Sequence, residues 1–238
     1  MPFRKNIPNL LTLANLACGA LAVIFILQND YSHAGVLLLF LAAIFDVLDG
    51  AVARSLGVSN ALGQQLDSLA DVVSFGLAPT VVAFSLAESL SDSRQHFVCY
   101  LALLNVCCAA WRLAHFNIST DQKNDFSGMP SPANGLLWAG IAAVAWETDQ
   151  QLGLQNVWIV VALILLSSWL MISKVRMFSF KLKPGGLSNN KIPFLYIGSI
   201  ILLPFITWLC FDSLLLCVPL AVLWYVVLST VQHFALRH

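Results

Sequence analysis

Four aspartates lie close together in this sequence, in two pairs at helical spacing. Asp46 and Asp49 are three residues apart, and Asp67 and Asp71 are four apart. Because residues three or four apart share one face of an α-helix, each pair predicts a carboxylate face. A short loop between the two helices would let both faces converge, so the spacing predicts one acidic cluster.

The surroundings of this cluster are apolar, which makes its charge costly. Each carboxylate at membrane depth costs a few kcal/mol on insertion scales, and four near one another repel. A hard divalent cation would neutralise them, and Mg²⁺ or Mn²⁺, as one or two ions, fits oxygen ligands better here than Ca²⁺. No His or Cys is nearby in the sequence, which argues against zinc. We therefore interpret the cluster as a metal site.

Small residues and one arginine are interleaved with the acids. Gly50, Ala53 and Gly63 leave room for a ligand to approach the helix backbone. Arg54 offers a fork of donors to phosphate oxygens. A metal, an arginine and a free carboxylate together favour displacement at phosphorus, with the carboxylate taking a proton from the attacking hydroxyl. Unrelated polar residues in helices, or the ion pathway of a transporter, are the alternatives.

The elements that carry these residues are predicted to be membrane helices. Hydrophobic residues make up 59% of the 238 and charged residues 10%, against about 25% charged in soluble domains. The net charge of zero gives no electrostatic case for nucleic acid. Runs of roughly 20 apolar residues predict a single all-α membrane domain over 1–238, a bundle of about eight transmembrane helices. These lie near 9–28, 33–53, 66–88, 96–116, 132–148, 156–175, 192–210 and 213–234.

The basic residues predict the orientation of this bundle. With eight spans, both termini lie on one side, together with eleven of the twelve Lys and Arg residues. The eleven are Arg4, Lys5, Arg54, Arg112, Lys123, Lys174, Arg176, Lys181, Lys183, Lys191 and Arg237. Only Arg94 falls opposite. Because basic residues concentrate on the cytoplasmic side, we predict a multi-pass protein of the cytoplasmic (inner) membrane, with its termini and acidic cluster on the cytoplasmic face.

The residues from Asp46 to Asp71 form the pattern D-x2-D-G-x2-A-R-x8-G-x3-D-x3-D. This pattern resembles the signature of the CDP-alcohol phosphatidyltransferase family at every fixed position. The resemblance implies a helical membrane bundle, commonly a homodimer, that binds a CDP-alcohol at the cytoplasmic membrane surface and releases CMP. It also implies that the last two spans, 192–234, extend beyond a six-span core.

The same resemblance implies a role for each signature residue. Asp46, Asp49 and Asp67 would be metal ligands. Asp71 would be a ligand or neighbour of the metal and the general base. The residues bordering the CDP-lipid would be Asp49, Gly50, Ala53, Arg54, Gly63 and Asp67, with Arg54 on the diphosphate.

Three stretches outside the signature resemble the phosphatidylserine synthase branch of the family: residues 7–19, 111–117 and 126–133. The second has Trp111 and His115 where Leu and Arg are usual. The likeness implies CDP-diacylglycerol and L-serine as substrates, drawn from a lipid membrane, with other acceptors (glycerol-3-phosphate, inositol phosphate or choline) as alternatives. Arg112, with Asn117 nearby, could bind the serine carboxylate, or Arg112 could be a cytoplasmic anchor.

Overall fold

The described part of the chain is almost entirely helical. The structure, a computed structural model, describes residues 2–28, 32–58, 61–118, 126–147, 156–178, 191–211 and 213–235. Its α-helices are α1 Pro2–Leu27, α2 Ser32–Leu56, α3 Ala61–Asp71, α4 Ala78–Ser89, α5 Leu103–Ile118, α6 Ser131–Glu147, α7 Val157–Ile172, α8 Lys191–Phe211 and α9 Cys217–Ala235. A π-helical turn, Val72–Leu77, joins α3 to α4, and a 3₁₀ segment, His96–Ala102, leads into α5.

Within the described ranges, six continuous helices are long and apolar enough to cross a membrane, with α3, the π-turn and α4 counting as one. The two others, α6 and α7, have 17 and 16 residues. The prediction of an all-α membrane bundle is therefore confirmed, and the predicted spans fall on the observed helices. Among the basic residues that predict its orientation, Lys123, Lys181, Lys183 and Arg237 lie outside the described residues.

The short helix α6 runs through the centre of the bundle. Most of its described residues are buried, and Trp138 is fully enclosed. It packs against α2, α4, α9 and the π-turn. A helix surrounded by protein does not need the length that contact with lipid imposes, which accounts for its 17 residues.

The end of α2 turns the chain sharply towards α3. Gly57 adopts φ +62°, a conformation that glycine reaches without steric cost. Its N–H donates to Arg54 O, and Val58 N–H donates to Ala53 O, which is the Schellman pattern of helix ends. Because α3 begins at Ala61, the two aspartate pairs stand on helices joined by this short turn.

Pro79 explains the π-turn that follows Asp71. Proline has no N–H and crowds the carbonyl four residues earlier, here that of Phe75. The backbone widens instead, and Ala78 N–H donates to Val73 O, five residues back. The released Phe75 carbonyl accepts from Asn134 Nδ2 of α6 at 3.2 Å. The π-turn is thereby tied to the central helix.

Two short strands were not predicted from the sequence. β1, Phe126–Ser127, and β2, Arg176–Met177, pair antiparallel, with Ser127 opposite Arg176. Both lie in connections between helices, where two residues give too little periodicity to signal a strand.

Candidate active site

The structure brings three of the four predicted aspartates to one point. One carboxylate oxygen from each of Asp46, Asp49 and Asp67 lies within 4.8 Å of the others. Among the described residues, this is the group of acidic, His or Cys side chains with ligand atoms close enough to hold one ion. The first two come from α2 and the third from α3, as the helical spacing predicts.

The donor set fits a hard divalent cation. Oxygen ligands of one Mg²⁺ lie up to about 4.2 Å apart, and those of one Ca²⁺ up to about 5.2 Å. Asp71 lies beside the group, close enough to interact electrostatically with Asp46, Asp67 and Asp49. Carboxylates this close together repel one another, and a bound cation would offset that repulsion. In addition, Asp71 Oδ1 is buried without a hydrogen-bond partner, as expected of an atom that awaits a ligand.

Asp49 is held from a third helix. The Thr12 hydroxyl of α1 donates to Asp49 Oδ2 at 2.6 Å. Thr12 and Asp49 are 4% and 6% exposed, so water competes little with this bond. Thr12 lies in the stretch 7–19, but the sequence predicted no role for it. Its partner Asp49 is 37 positions away, and no local pattern indicates a contact between them.

The signature residues proposed to border a CDP-lipid lie at the end of α2 and the start of α3. Arg54 is exposed, and its guanidinium folds back along the helix. A Cβ added to Gly50 would lie 3.3 Å from Arg54 Nη1. The space above Gly50 is therefore held by the tip of a flexible side chain, which a ligand can displace. Ala53 and Gly63 are half-buried on the two helices.

Arg112 reaches the cluster from α5. Its Nη1 donates to Ser131 Oγ, at the start of α6, at 2.7 Å. The guanidinium is close enough to Asp71 to interact electrostatically with its carboxylate. Its Nε is buried and has no hydrogen-bond partner. A buried cationic donor and a buried carboxylate acceptor, Asp71 Oδ1, thus both retain hydrogen-bonding capacity at this end of the bundle.

Asn117 lies one turn further along α5 and contacts α3. Its Nδ2 donates to Ser68 Oγ at 2.9 Å, and Ser68 follows Asp67 directly in the chain.

Two residues of the site, Ser131 and Tyr225, had no role assigned from the sequence. Ser131 bonds Arg112, and the Tyr225 hydroxyl of α9 interacts electrostatically with it. Tyr225 carries no sequence signal, because the contact exists only in the folded bundle.

Comparison with known proteins identifies a family. Residues 5–177 match the family model described as CDP-alcohol phosphatidyltransferase. The chain is 37% identical over 131 residues to a CDP-diacylglycerol–serine O-phosphatidyltransferase of Bacillus subtilis, covering 55% of this chain and 71% of the relative. It is 33% identical over 184 residues to the Mycobacterium leprae protein of the same name, covering 72% of this chain and 57% of the relative.

An archaeal relative has a related name. It is the archaetidylserine synthase of Methanothermobacter thermautotrophicus, 35% identical over 128 residues, which cover 53% of each chain. This chain therefore spans little more than half of the length of the second and third of these relatives.

Proposed function

We propose that this chain, which belongs to the CDP-alcohol phosphatidyltransferase family, transfers the phosphatidyl group of CDP-diacylglycerol to the hydroxyl of L-serine and releases CMP. The observation that carries the proposal is the convergence of Asp46, Asp49 and Asp67 beside Asp71, with which the Arg112 guanidinium interacts electrostatically. The names of the relatives support serine as the acceptor.

Asp46, Asp49 and Asp67 would hold the metal, with Asp71 as a further ligand or neighbour. The oxygen-only donor set favours Mg²⁺ or Mn²⁺, as one or two ions. When bound, such an ion neutralises diphosphate charge and favours departure of the CMP phosphate. The Thr12 hydroxyl keeps Asp49 in its ligating orientation.

The diphosphate would lie along the small-residue face at the end of α2. Gly50, Ala53 and Gly63 would border the cytidine and diphosphate. Arg54, now folded over Gly50, would swing outwards so that its guanidinium binds phosphate oxygens. The lipid tails of the substrate would remain in the membrane beside the bundle.

Serine is a zwitterion, and the pair of Arg112 and Asp71 is complementary to it. The unpaired Nε–H of Arg112 can donate to the serine carboxylate, while carboxylate oxygens of the cluster accept from the ammonium. A phosphorylated acceptor would require more positive charge. In the described part of the chain, Arg112 is the buried cation beside Asp71, and Asn117 braces α5 against α3.

The transfer then proceeds by direct displacement at phosphorus. Asp71 takes the proton of the serine hydroxyl, and the serine oxygen forms a bond to the phosphatidyl phosphorus. The bond from that phosphorus to the bridging oxygen breaks, and CMP leaves with the electron pair. Arg54 stabilises the charge that develops on the leaving phosphate.

The proposed placement in the cell follows the basic residues. The acidic cluster and both termini would face the cytoplasm, where CDP-lipid head groups and serine are available. The protein would act in the cytoplasmic membrane as a homodimer.

An acceptor screen tests the proposed function. Purified protein with CDP-diacylglycerol and Mg²⁺ or Mn²⁺ should release CMP with serine, and far less with glycerol-3-phosphate, inositol phosphates or choline. CMP release with a different acceptor would refute serine while keeping the family chemistry. Metal transport into vesicles without CMP release would favour the transporter alternative.

Asp71→Asn tests the proposed general base. Turnover should fall by about 100-fold or more, the usual contribution of a positioned base, while CDP-diacylglycerol binding is largely retained. CMP release and lipid binding would be measured on the same preparation. Asp92→Asn, an exposed acid at the other end of the bundle, is the control. Unchanged turnover of Asp71→Asn would remove Asp71 from the mechanism.

A further inference from the structure

Helix α9 carries a stripe of buried polar side chains. Tyr225, Ser229 and His233 are spaced by four residues and are 6%, 0% and 8% exposed. Residues at this spacing lie along one helix face. Buried polar groups in a membrane helix are costly unless they find partners. This helix lies beyond residue 177, where the match to the family model ends.

The partners are backbone atoms of β2 and the residue after it. The Tyr225 hydroxyl donates to Phe178 O at 3.1 Å, and Arg176 N–H donates to His233 Nδ1 at 3.3 Å. Phe178 N lies 3.5 Å from Ser229 Oγ. The backbone N–H and C=O groups of successive strand residues point in opposite directions. Those of residues 176 and 178 therefore point away from β1 and towards α9, where a third strand would otherwise lie. The stripe thus bonds to the edge of β2 that faces away from β1.

The other edge of β2 leads to the active site. Beside the β1 pairing, Gly128 N–H donates to Val175 O, and Met129 N–H donates to Leu170 O, both at 2.9 Å. The chain then enters α6 at Ser131, whose hydroxyl accepts the 2.7 Å bond from Arg112. The Tyr225 hydroxyl is also near enough to the Arg112 guanidinium to interact with it electrostatically.

We infer that α9 is a positioning element for the acceptor: Tyr225, Ser229 and His233 hold β2, and the paired segment 126–131 in turn holds Arg112 against Asp71. The inference rests on the proposed function, because Arg112 is the residue proposed to bind the acceptor carboxylate. Within the described residues, α9 packs chiefly against α6, α8 and β2, whereas the proposed metal ligands lie on α2 and α3. Loss of the stripe therefore weakens acceptor binding and leaves CDP-lipid binding intact.

Kinetics of Tyr225→Phe and of two His233 variants test this inference. Tyr225→Phe removes the hydroxyl alone, and His233→Leu removes the acceptor of the Arg176 N–H. Each should raise the KM for serine about three- to ten-fold, the effect of one lost hydrogen bond, with the KM for CDP-diacylglycerol unchanged. His233→Asn, whose Oδ1 can accept in place of Nδ1, should restore most of the serine affinity.

Tyr100→Phe is the matched control, because Tyr100 is 53% exposed and lies in the 3₁₀ segment, away from β2. Its kinetic constants should equal those of the unaltered protein. Equal changes in the two KM values of Tyr225→Phe, or no rescue by His233→Asn, would refute the positioning role.

Hydrogen exchange separates this inference from the proposed function. Peptides covering 126–131 and 170–178 should exchange faster in Tyr225→Phe and His233→Leu than in Tyr100→Phe, while those from α1 and α2 remain unchanged. If the unaltered protein released CMP with another acceptor, the same KM comparison would be made with that acceptor. Absence of CMP release with every acceptor would refute the proposed function. Unchanged hydrogen exchange of these peptides in Tyr225→Phe and His233→Leu would instead refute the proposal that α9 stabilises β2.

Discussion

At the scale of single residues, Thr12 stands out because its hydroxyl lies 2.6 Å from a carboxylate oxygen of Asp49. The same oxygen of Thr12 lies 3.1 Å from Pro8 O, so two acceptors compete for one proton. The shorter contact is to the carboxylate, and charge-assisted bonds are the stronger class. Thr12 therefore fixes the direction of one proposed metal ligand from a helix that carries none of the aspartates.

Thr12→Val should weaken metal binding without removing a ligand. Valine keeps the shape of threonine but cannot donate, so Asp49 loses its orienting bond. Residues that orient metal ligands typically contribute about 10- to 100-fold in metal affinity. The Mn²⁺ concentration for half-maximal CMP release should rise by about ten-fold or more. Thr12→Ser, which retains the hydroxyl, should behave like the unaltered protein; equal Mn²⁺ dependence in Thr12→Val would contradict this role.

The residues of the site differ in how visible they are in the sequence. The aspartate pairs could be placed on shared helix faces from spacing alone, and Asp46, Asp49 and Asp67 do converge. Their role as metal ligands stays a prediction. The partners Thr12 and Ser131 could not be assigned, because a hydroxyl in an apolar helix has no periodic signal and its bond depends on which helices become neighbours.

At the scale of elements, hydrophobic runs predicted the helices but not their irregularities. The run near 66–88 gave one span, and a continuous helix from Ala61 to Ser89 is observed. The π-turn within it depends on how the backbone accommodates Pro79 and on Asn134 of another helix. Such an adjustment is decided by tertiary contacts, so the apolar pattern remains the same with or without it.

Gly128 is the residue on which the connection between β1 and α6 most depends. It adopts φ +78°, and an added Cβ would lie 3.0 Å from the carbonyl carbon of Met171. Gly128→Ala should therefore lower the melting temperature through both backbone strain and a clash with rigid backbone. Strain alone costs about 1–2 kcal/mol.

Gly57→Ala is the control for Gly128→Ala. Gly57 also has positive φ, +62°, but nothing lies within 4 Å of its added Cβ. It should incur the strain without the clash, so its melting temperature should fall less. A Gly57 variant as unstable as the Gly128 variant, measured in the same detergent, would show that contact with Met171 is unimportant.

At the scale of the whole molecule, the uneven distribution of basic residues predicts the orientation of the bundle in the membrane. Arg54 follows the aspartates at one end of α2, whereas Arg94 follows the far end of the helix that begins at Ala61. The helical membrane bundle is confirmed, and its orientation stays a prediction. So does the division into a six-span core and an extension, although the family match ends at residue 177, before α8.

Cysteine labelling in vesicles tests the orientation. Ser55→Cys and Ser93→Cys place thiols at opposite ends of the bundle, on side chains that are both exposed. A membrane-impermeant thiol reagent should label position 55 in inverted vesicles and position 93 in right-side-out vesicles. The unaltered protein, with six described cysteines that are free thiols, gives the background. The reverse pattern would place the aspartates on the outer face.

The π-turn at Val72–Leu77 has a consequence for how the length of this chain can change. Each residue of an α-helix advances the rotation by about 100°. A π-turn uses about one residue more than an α-helix for the same rotation, so removing one residue here and restoring a regular helix would leave Thr80 and the rest of α4 facing nearly the same direction relative to Asp71. The π-turn is therefore the place where this helix can lose a residue and keep its register, whereas the same deletion in the regular part of α4 would turn the residues beyond it by about 100°.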